Sequence, residues 1–562
     1  MYKYIIYLFL IFLFYISNSL TYSQSLFYYY RDYQHQNYKL ADKHTDTDSI
    51  SVYKILEDKK EELISGAYIS AGYDSIKLTD SVYRAYLTRG HKYFWDNLEP
   101  DTSFTDIFQK AKINNKPVDI YRLNKMYENI LKYCQNNGYP FARIELDEFY
   151  INDSLFKAKI NVDKGDKYYF DSIIIKGDID LKYHYLQNYL SLRKGSIFSM
   201  RKTDEINRLI GNLAFIEQTR NYELAFIDNK ADLVMYLKSK KANQFNGILG
   251  ILPNNQTTDK ILITGDVNLL LNNALGRGEL LSFEWQRLEE QSQNLLINGF
   301  YPYWFRSRFG TGIEFNMEKR DSSYFSTDLK ISLRYFTFAD NGFDIFYQSF
   351  NSYVLDNKQP DSDYANIKAD LGGLSYKYAK LDNVFNPRRG LSFYISSAMG
   401  TRTSSLSSED NEEKSVLHSR STLILSYYLP IFKYMAIKFN NRTSLMYSEQ
   451  LYENELFRIG GLNTIRGFDE YSLPTSGYSI YNIEIRYLFE ENSAFFGFYD
   501  FAYFEKRFTK EEGYNLAHGI GAGINLQTNA GVFSLVYALG KINQNNFDFN
   551  SFKIHIGYRN NF

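Results

Sequence analysis

Two periodicities divide the chain. From Phe245 to Phe562, apolar residues recur at every second position in short segments separated by polar loops, the signature of strands with chemically distinct faces. Sixteen such segments are predicted, from 245–252 through 551–562. The alternation is sharpest over 477–489. There Tyr481, Ile483, Ile485, Tyr487 and Phe489 share one face, and Asn482, Glu484 and Arg486 share the other. The closing segment repeats it with Phe552, Ile554, Ile556, Tyr558 and Phe562, broken only at Asn560. Before Phe245, helical stripes such as Ile206, Leu209, Ile210 and Leu213 are interleaved with strand pairs.

The first half also repeats. The segment endings at Gly90 and Gly165 stand about 75 residues apart, and one further period lands on Lys240, after the strand Leu233 to Leu237. Three units are therefore expected, over 24–90, 91–165 and 166–242. The last is the clearest: a strand from Tyr169, helices from Tyr183 and Thr203, then two strands around Asp228-Asn229-Lys230. This β-α-α-β-β order packs a helix pair on one face of a small sheet and leaves strand edges free to pair with an extended peptide. Spacer domains would have the same order.

For 243–562 the even strand number suits a closed membrane barrel with both ends on one side. A pair of packed soluble sheets would show the same alternation. The first strand, Phe245 to Leu252, is short, holds Gly247 and Gly250 and stops at Pro253. Its seam with the last strand, which carries Tyr558 and Phe562, is expected to be the weakest in the barrel. Residues 1–23 read as a signal peptide, with Lys3 before the apolar run Ile5 to Ile16 and cleavage placed after Ser23. That run is shorter than the roughly 20 apolar residues a membrane helix needs.

Composition narrows the function. The 562 residues include 52 Tyr and 44 Phe, an excess that suits strands and membrane-interface girdles. A net charge of -1 supplies no field for a phosphate backbone, so nucleic acid is not an expected partner. Cys134 is the only cysteine and is expected to be buried on a helix, and the seven His residues form no ligand spacing. No metal, cofactor or catalytic constellation is expected, which argues against an enzyme.

The loop Ser448 to Ser476 contains Phe457-Arg458-Ile459-Gly460-Gly461-Leu462-Asn463-Thr464-Ile465-Arg466-Gly467-Phe468. Together with the repeated units, the turn Asn272 to Glu279, the stretch Asp382 to Gly390 and Gly497-Phe498-Tyr499-Asp500, this resembles the BamA/TamA superfamily of outer-membrane assembly and secretion proteins. The resemblance implies periplasmic POTRA domains before a sixteen-stranded barrel in the outer membrane of a Gram-negative bacterium. It implies that Arg466 reaches into the lumen and binds Glu484 and Asp500, with Gly467 allowing a tight turn and Phe468 filling an apolar patch. Ala517, Gly519, Gly521 and Gly523 share a face against which such a loop could lie. Arg458, outside the Arg-Gly-Phe signature, is expected to matter less.

The implied function is insertion of unfolded outer-membrane proteins, which dock on the N-terminal units and enter the bilayer through a seam lined by Phe245, Gly247, Gly250, Tyr558 and Phe562. Chaperones or accessory lipoproteins are further expected partners. Translocation of one dedicated partner protein is the alternative, and a passive channel a third. Three docking units favour assembly, because secretion relatives usually carry two.

Overall fold

The computed structural model describes residues 24–560 apart from 32–36, 48, 81, 254–260, 288–291, 356–362, 407–414, 491, 509–510 and 529–530. The expected signal peptide and Phe562 lie outside the described residues.

Ten strands precede the barrel: β1 Gln24–Arg31, β2 Lys39–Thr47, β3 Gly72–Thr79, β4 Val82–Thr88, β5 Phe94–Glu99, β6 Arg143–Asn152, β7 Leu155–Asp163, β8 Tyr169–Lys176, β9 Ile216–Ile227 and β10 Lys230–Ser239. They form three sheets. The second sheet, ordered β5-β7-β6, has the expected β-α-α-β-β connectivity, with β5 parallel and β6 antiparallel to β7. Asp119 caps the helix Ile120–Asn136 by accepting from the Arg122 N–H at 3.0 Å. The stripe Leu123, Met126, Ile130 and Cys134 packs that helix onto Trp95, Phe156 and Ile160. Each large apolar side chain so buried contributes about 1.5–3 kcal/mol. The third sheet, β8-β10-β9, follows the same order, with its second helix broken into Met200–Asp204 and Ile206–Gly211.

The first sheet departs from expectation. Its order is β2-β1-β4-β3, and a single helix, Ser49–Ser65, lies between the strand pairs, so the connectivity is β-β-α-β-β. Strand β2 carries only Leu40 and Ala41 as apolar residues, and its alternation is therefore weak. It is an edge strand, held by its antiparallel ladder to β1 rather than by burial.

The barrel strands are β11 Gln244–Pro253, β12 Ile261–Asn272, β13 Leu280–Arg287, β14 Gln293–Tyr301, β15 Phe309–Arg320, β16 Tyr324–Phe338, β17 Asn341–Val354 and β18 Asn366–Leu381. They continue with β19 Gly390–Ser405, β20 Val416–Phe432 and β21 Met435–Tyr447. A small hairpin within the long loop, β22 Phe457–Ile459 and β23 Leu473–Thr475, interrupts them. The last five are β24 Gly477–Glu490, β25 Ser493–Phe508, β26 Glu511–Thr528, β27 Gly531–Ile542 and β28 Lys553–Asn560.

Leaving out the β22–β23 hairpin, these make one sixteen-stranded sheet, each strand antiparallel to its neighbours in chain order. Tyr481, Ile483, Ile485 and Tyr487 are exposed, whereas Asn482, Glu484 and Arg486 are buried. Apolar rings outside and charges inside are the reverse of a soluble sandwich and the pattern of a membrane barrel. Parts of β11 and β28 come within 8 Å of each other, yet among the described residues no ladder joins them.

The third domain is docked on the barrel's turns. Lys182 N–H donates to the Gly276 carbonyl at 2.7 Å, and Asn273 Nδ2 donates to the Asp180 carbonyl at 2.9 Å. Tyr185 is buried beside Tyr303, and Gly278, at φ +74°, leaves space that any Cβ would take from its ring. Burial, with Asp340 adding to it, raises the Tyr185 hydroxyl well above its ordinary range, so this contact stays neutral.

Candidate functional site

The long loop folds back into the barrel and buries its own polar and apolar tips. Ile459 and Ile465 are fully buried against Tyr478, Ile480, Ala502, Phe504 and Ala517, with Phe468 packed at the edge of that cluster. Between them the Arg466 guanidinium carbon sits over the Phe498 ring, 3.6 Å from its centre. Its Nε donates to Asp500 Oδ2 at 2.8 Å and its Nη2 to Asp500 Oδ1 at 2.5 Å. Its Nη1 reaches Glu484 Oε1 at 2.8 Å, and its own backbone N–H donates to Asp500 Oδ2 at 3.0 Å. Asp500 is 0 % exposed. A planar fork spans two carboxylates on adjacent strands, which a point charge could not do.

Close backbone approach makes this geometry possible. Gly467 has φ +92°, and a Cβ there would overlap the Leu539–Gly540 backbone. Reciprocally, a Cβ on Gly519 would strike the Arg466 carbonyl, and one on Gly540 the Gly467 carbonyl. Of the small-residue face on β26, Ala517 and Gly519 meet the loop, whereas Gly521 and Gly523 lie under Phe498 and Phe496. Gly540, on the neighbouring strand, is an addition that alternation alone does not mark.

The structure also adds a second anchor. Arg402 on β19 donates from Nε and Nη2 to Glu455 at 2.8 and 2.5 Å, and both side chains are almost wholly buried. Asn454 Nδ2 donates to Ser352 Oγ and to the Ala365 carbonyl, each at 2.7 Å. Arg458 has partners of its own, with Nη2 3.2 Å from Glu453. Its side chain is 10 % exposed. These residues carry no motif; only a buried partner on a distant strand reveals them.

At the seam, Phe245 and Tyr558 are exposed, and Gly247 and Gly250 lie in the ladder between β11 and β12. Gln244, Asn272, Asn525, Gln527 and Tyr558 line one pocket at its base, bringing both seam strands together around amides. The loop reaches the same edge of the sheet, where Asp469 accepts from Lys553 Nζ on β28 at 2.7 Å.

Residues 273–560 match the model of the Omp85 superfamily domain. The chain belongs to the Omp85 superfamily. Among solved structures, it resembles CdiB from Escherichia coli at 12% identity and a TM-score of 0.51, over 91% of this chain and 97% of that one. CdiB from Acinetobacter baumannii aligns at 13% identity and a TM-score of 0.50, over 91% of this chain and 98% of that one. BamA from Haemophilus ducreyi lacking POTRA domains 1-3 aligns at 15% identity and a TM-score of 0.40, over 84% and 99%. At these identities the likeness is one of fold. In this Omp85 protein the loop 448–476 lies within the matched domain, as do the two carboxylates that hold it, Glu484 on β24 and Asp500 on β25.

Proposed function

We propose that this Omp85 protein inserts unfolded outer-membrane proteins through the seam between β11 and β28. The third domain and its turns then face the periplasm, the exposed rings of β24 and β28 face lipid, and clients dock on the free edges of the N-terminal sheets. The observation that carries this reading is that the sixteen-stranded sheet ends at β11 and β28 without a ladder between them among the described residues. Two unpaired strand edges facing each other in a membrane invite a client strand, whose backbone groups have no water to satisfy them. Folding of the client supplies the free energy, so no nucleotide is required.

One observation favours the alternative, translocation of a dedicated partner. Among the described residues two N-terminal domains have β-α-α-β-β order, and two is the number associated with secretion relatives. Against it, the lumen holds a loop fixed at both Arg466 and Arg402, which a translocating chain would have to displace. Photo-crosslinkers placed at Phe245 and, in the lumen, at Asn440 separate the two. Insertion predicts adducts with barrel proteins at 245; adducts with a secreted protein at 440, and none at 245, would replace this reading with translocation.

A further inference from the structure

The turn between β18 and β19 touches the third domain at one half and Arg486, a neighbour of the loop anchor, at the other. On the outer half, Arg208 Nη1 donates to the Leu381 carbonyl at 3.0 Å, and the Val384 N–H donates to Asn212 Oδ1 at 3.1 Å. Lys380 pairs with Glu205 at 3.1 Å. On the inner half, Arg486 of β24 donates from Nη2 to Asn386 Oδ1 at 2.5 Å and from Nη1 to the Pro387 carbonyl at 3.2 Å. Asn386 and Arg486 are 7 % and 8 % exposed.

The turn between these halves is internally tied. Asp382 Oδ1 accepts from the N–H groups of Asn383, Arg388 and Arg389 at 2.9, 3.1 and 3.1 Å. Asn383 Oδ1 accepts from those of Phe385 and Asn386 at 2.7 and 3.2 Å. Gly390 closes the turn at φ +132°, against the Lys380 carbonyl. A segment so cross-linked moves as a body, and displacement at Val384 is passed to Asn386.

Beyond Arg486 stands the loop anchor. The Arg486 Nε has no hydrogen-bond partner among the described residues and points toward Glu484, 4.0 Å from Oε2. The other oxygen of Glu484 is the one that holds Arg466. Asn386 and Pro387 therefore keep Arg486 just short of full pairing with Glu484. Without them, its guanidinium would turn onto that carboxylate and draw it from Arg466, whose remaining carboxylate would be Asp500.

We propose that the turn 382–390 is a relay that links docking of the third domain to the hold on the loop, with Arg486 as the positioning residue. The relay stands whether the client is inserted or secreted, because it concerns only how the domain and the loop communicate. Displacing the domain frees Val384 and Leu381, the turn shifts, Arg486 moves onto Glu484, and the hold on Arg466 is weakened to its bonds with Asp500.

The test is the rate of trypsin cleavage after Arg466 in the full-length, membrane-embedded protein. Asn386→Ala and Asn212→Ala should each raise that rate at least about fivefold, the low end of typical inter-site coupling. In an Arg486→Met background, neither substitution should change the rate further, a loss of effect that general destabilisation of the barrel would not produce. Asn212 lies outside the barrel, so its variant carries the test if Asn386→Ala fails to assemble. A wild-type cleavage rate in Asn212→Ala, or an undiminished effect of Asn212→Ala in the Arg486→Met background, would overturn the relay.

Discussion

Replacing Arg466 with Ala removes three side-chain hydrogen bonds and a cation–π contact at once. The two carboxylates suffer unequally. Glu484 keeps Lys438 at 3.3 Å and Arg486 at 4.0 Å, whereas Asp500, with no exposure, retains only the residue 466 backbone N–H from this set. Breaking a buried pair costs about 3–5 kcal/mol, and the remaining cations near Glu484 place this case toward the lower figure. About 3 kcal/mol corresponds to roughly a hundredfold change in the open population of the loop. Cleavage tracks that population when opening is fast relative to proteolysis. Chymotrypsin should therefore cut Arg466→Ala near Leu462 and Phe468 roughly a hundredfold faster than wild type, while the barrel still reaches the membrane. Adding Asp500→Asn removes the stranded charge and should slow that cleavage again, a non-additive result expected only for residues in contact. Arg466→Lys should recover part of the protection. Wild-type cleavage in Arg466→Ala would refute the reasoning and make the residue an ordinary solvated charge.

Arg402→Ala strands Glu455 in the same way and should expose the arm around 449–457 in limited proteolysis, leaving protection at Phe468 largely intact. Gly540→Ala should displace the loop although every charged partner of Arg466 remains, because the new Cβ overlaps the Gly467 carbonyl; Gly497→Ala, with open space around it, should leave loop protection unchanged. The intact protein should fractionate with the outer membrane and migrate differently on gels when unheated, since a hydrogen-bonded barrel resists detergent, and recovery in the soluble fraction would end the membrane reading.

The barrel was legible because its chemistry alternates with the pleat: Tyr481 and Asn482 point opposite ways in any register, and lipid and lumen sort them. The third N-terminal domain was legible through the helix stripe Ile206, Leu209, Ile210 and Leu213, all of them buried. Strand β2 was not, because an edge strand needs a ladder more than an apolar face. The Arg466 cluster could be anticipated through a family signature, but nothing local marks Arg402 and Glu455, which lie 53 positions apart. Two stretches noted only as similar to the family acquire physical reasons: Asn273, Gly276 and Gly278 receive the third domain, and the turn with Asp382 and Asn383 bridges that domain to Arg486. Such reasons depend on partners far along the chain, which sequence periodicity does not report.

The most direct measurement of the central claim is an inventory of the outer membrane after depletion of this protein. Insertion through the seam predicts that several barrel proteins fall together in the outer membrane, with their unfolded forms accumulating in the periplasm. An unchanged outer membrane, with a single protein lost from the medium, would contradict it.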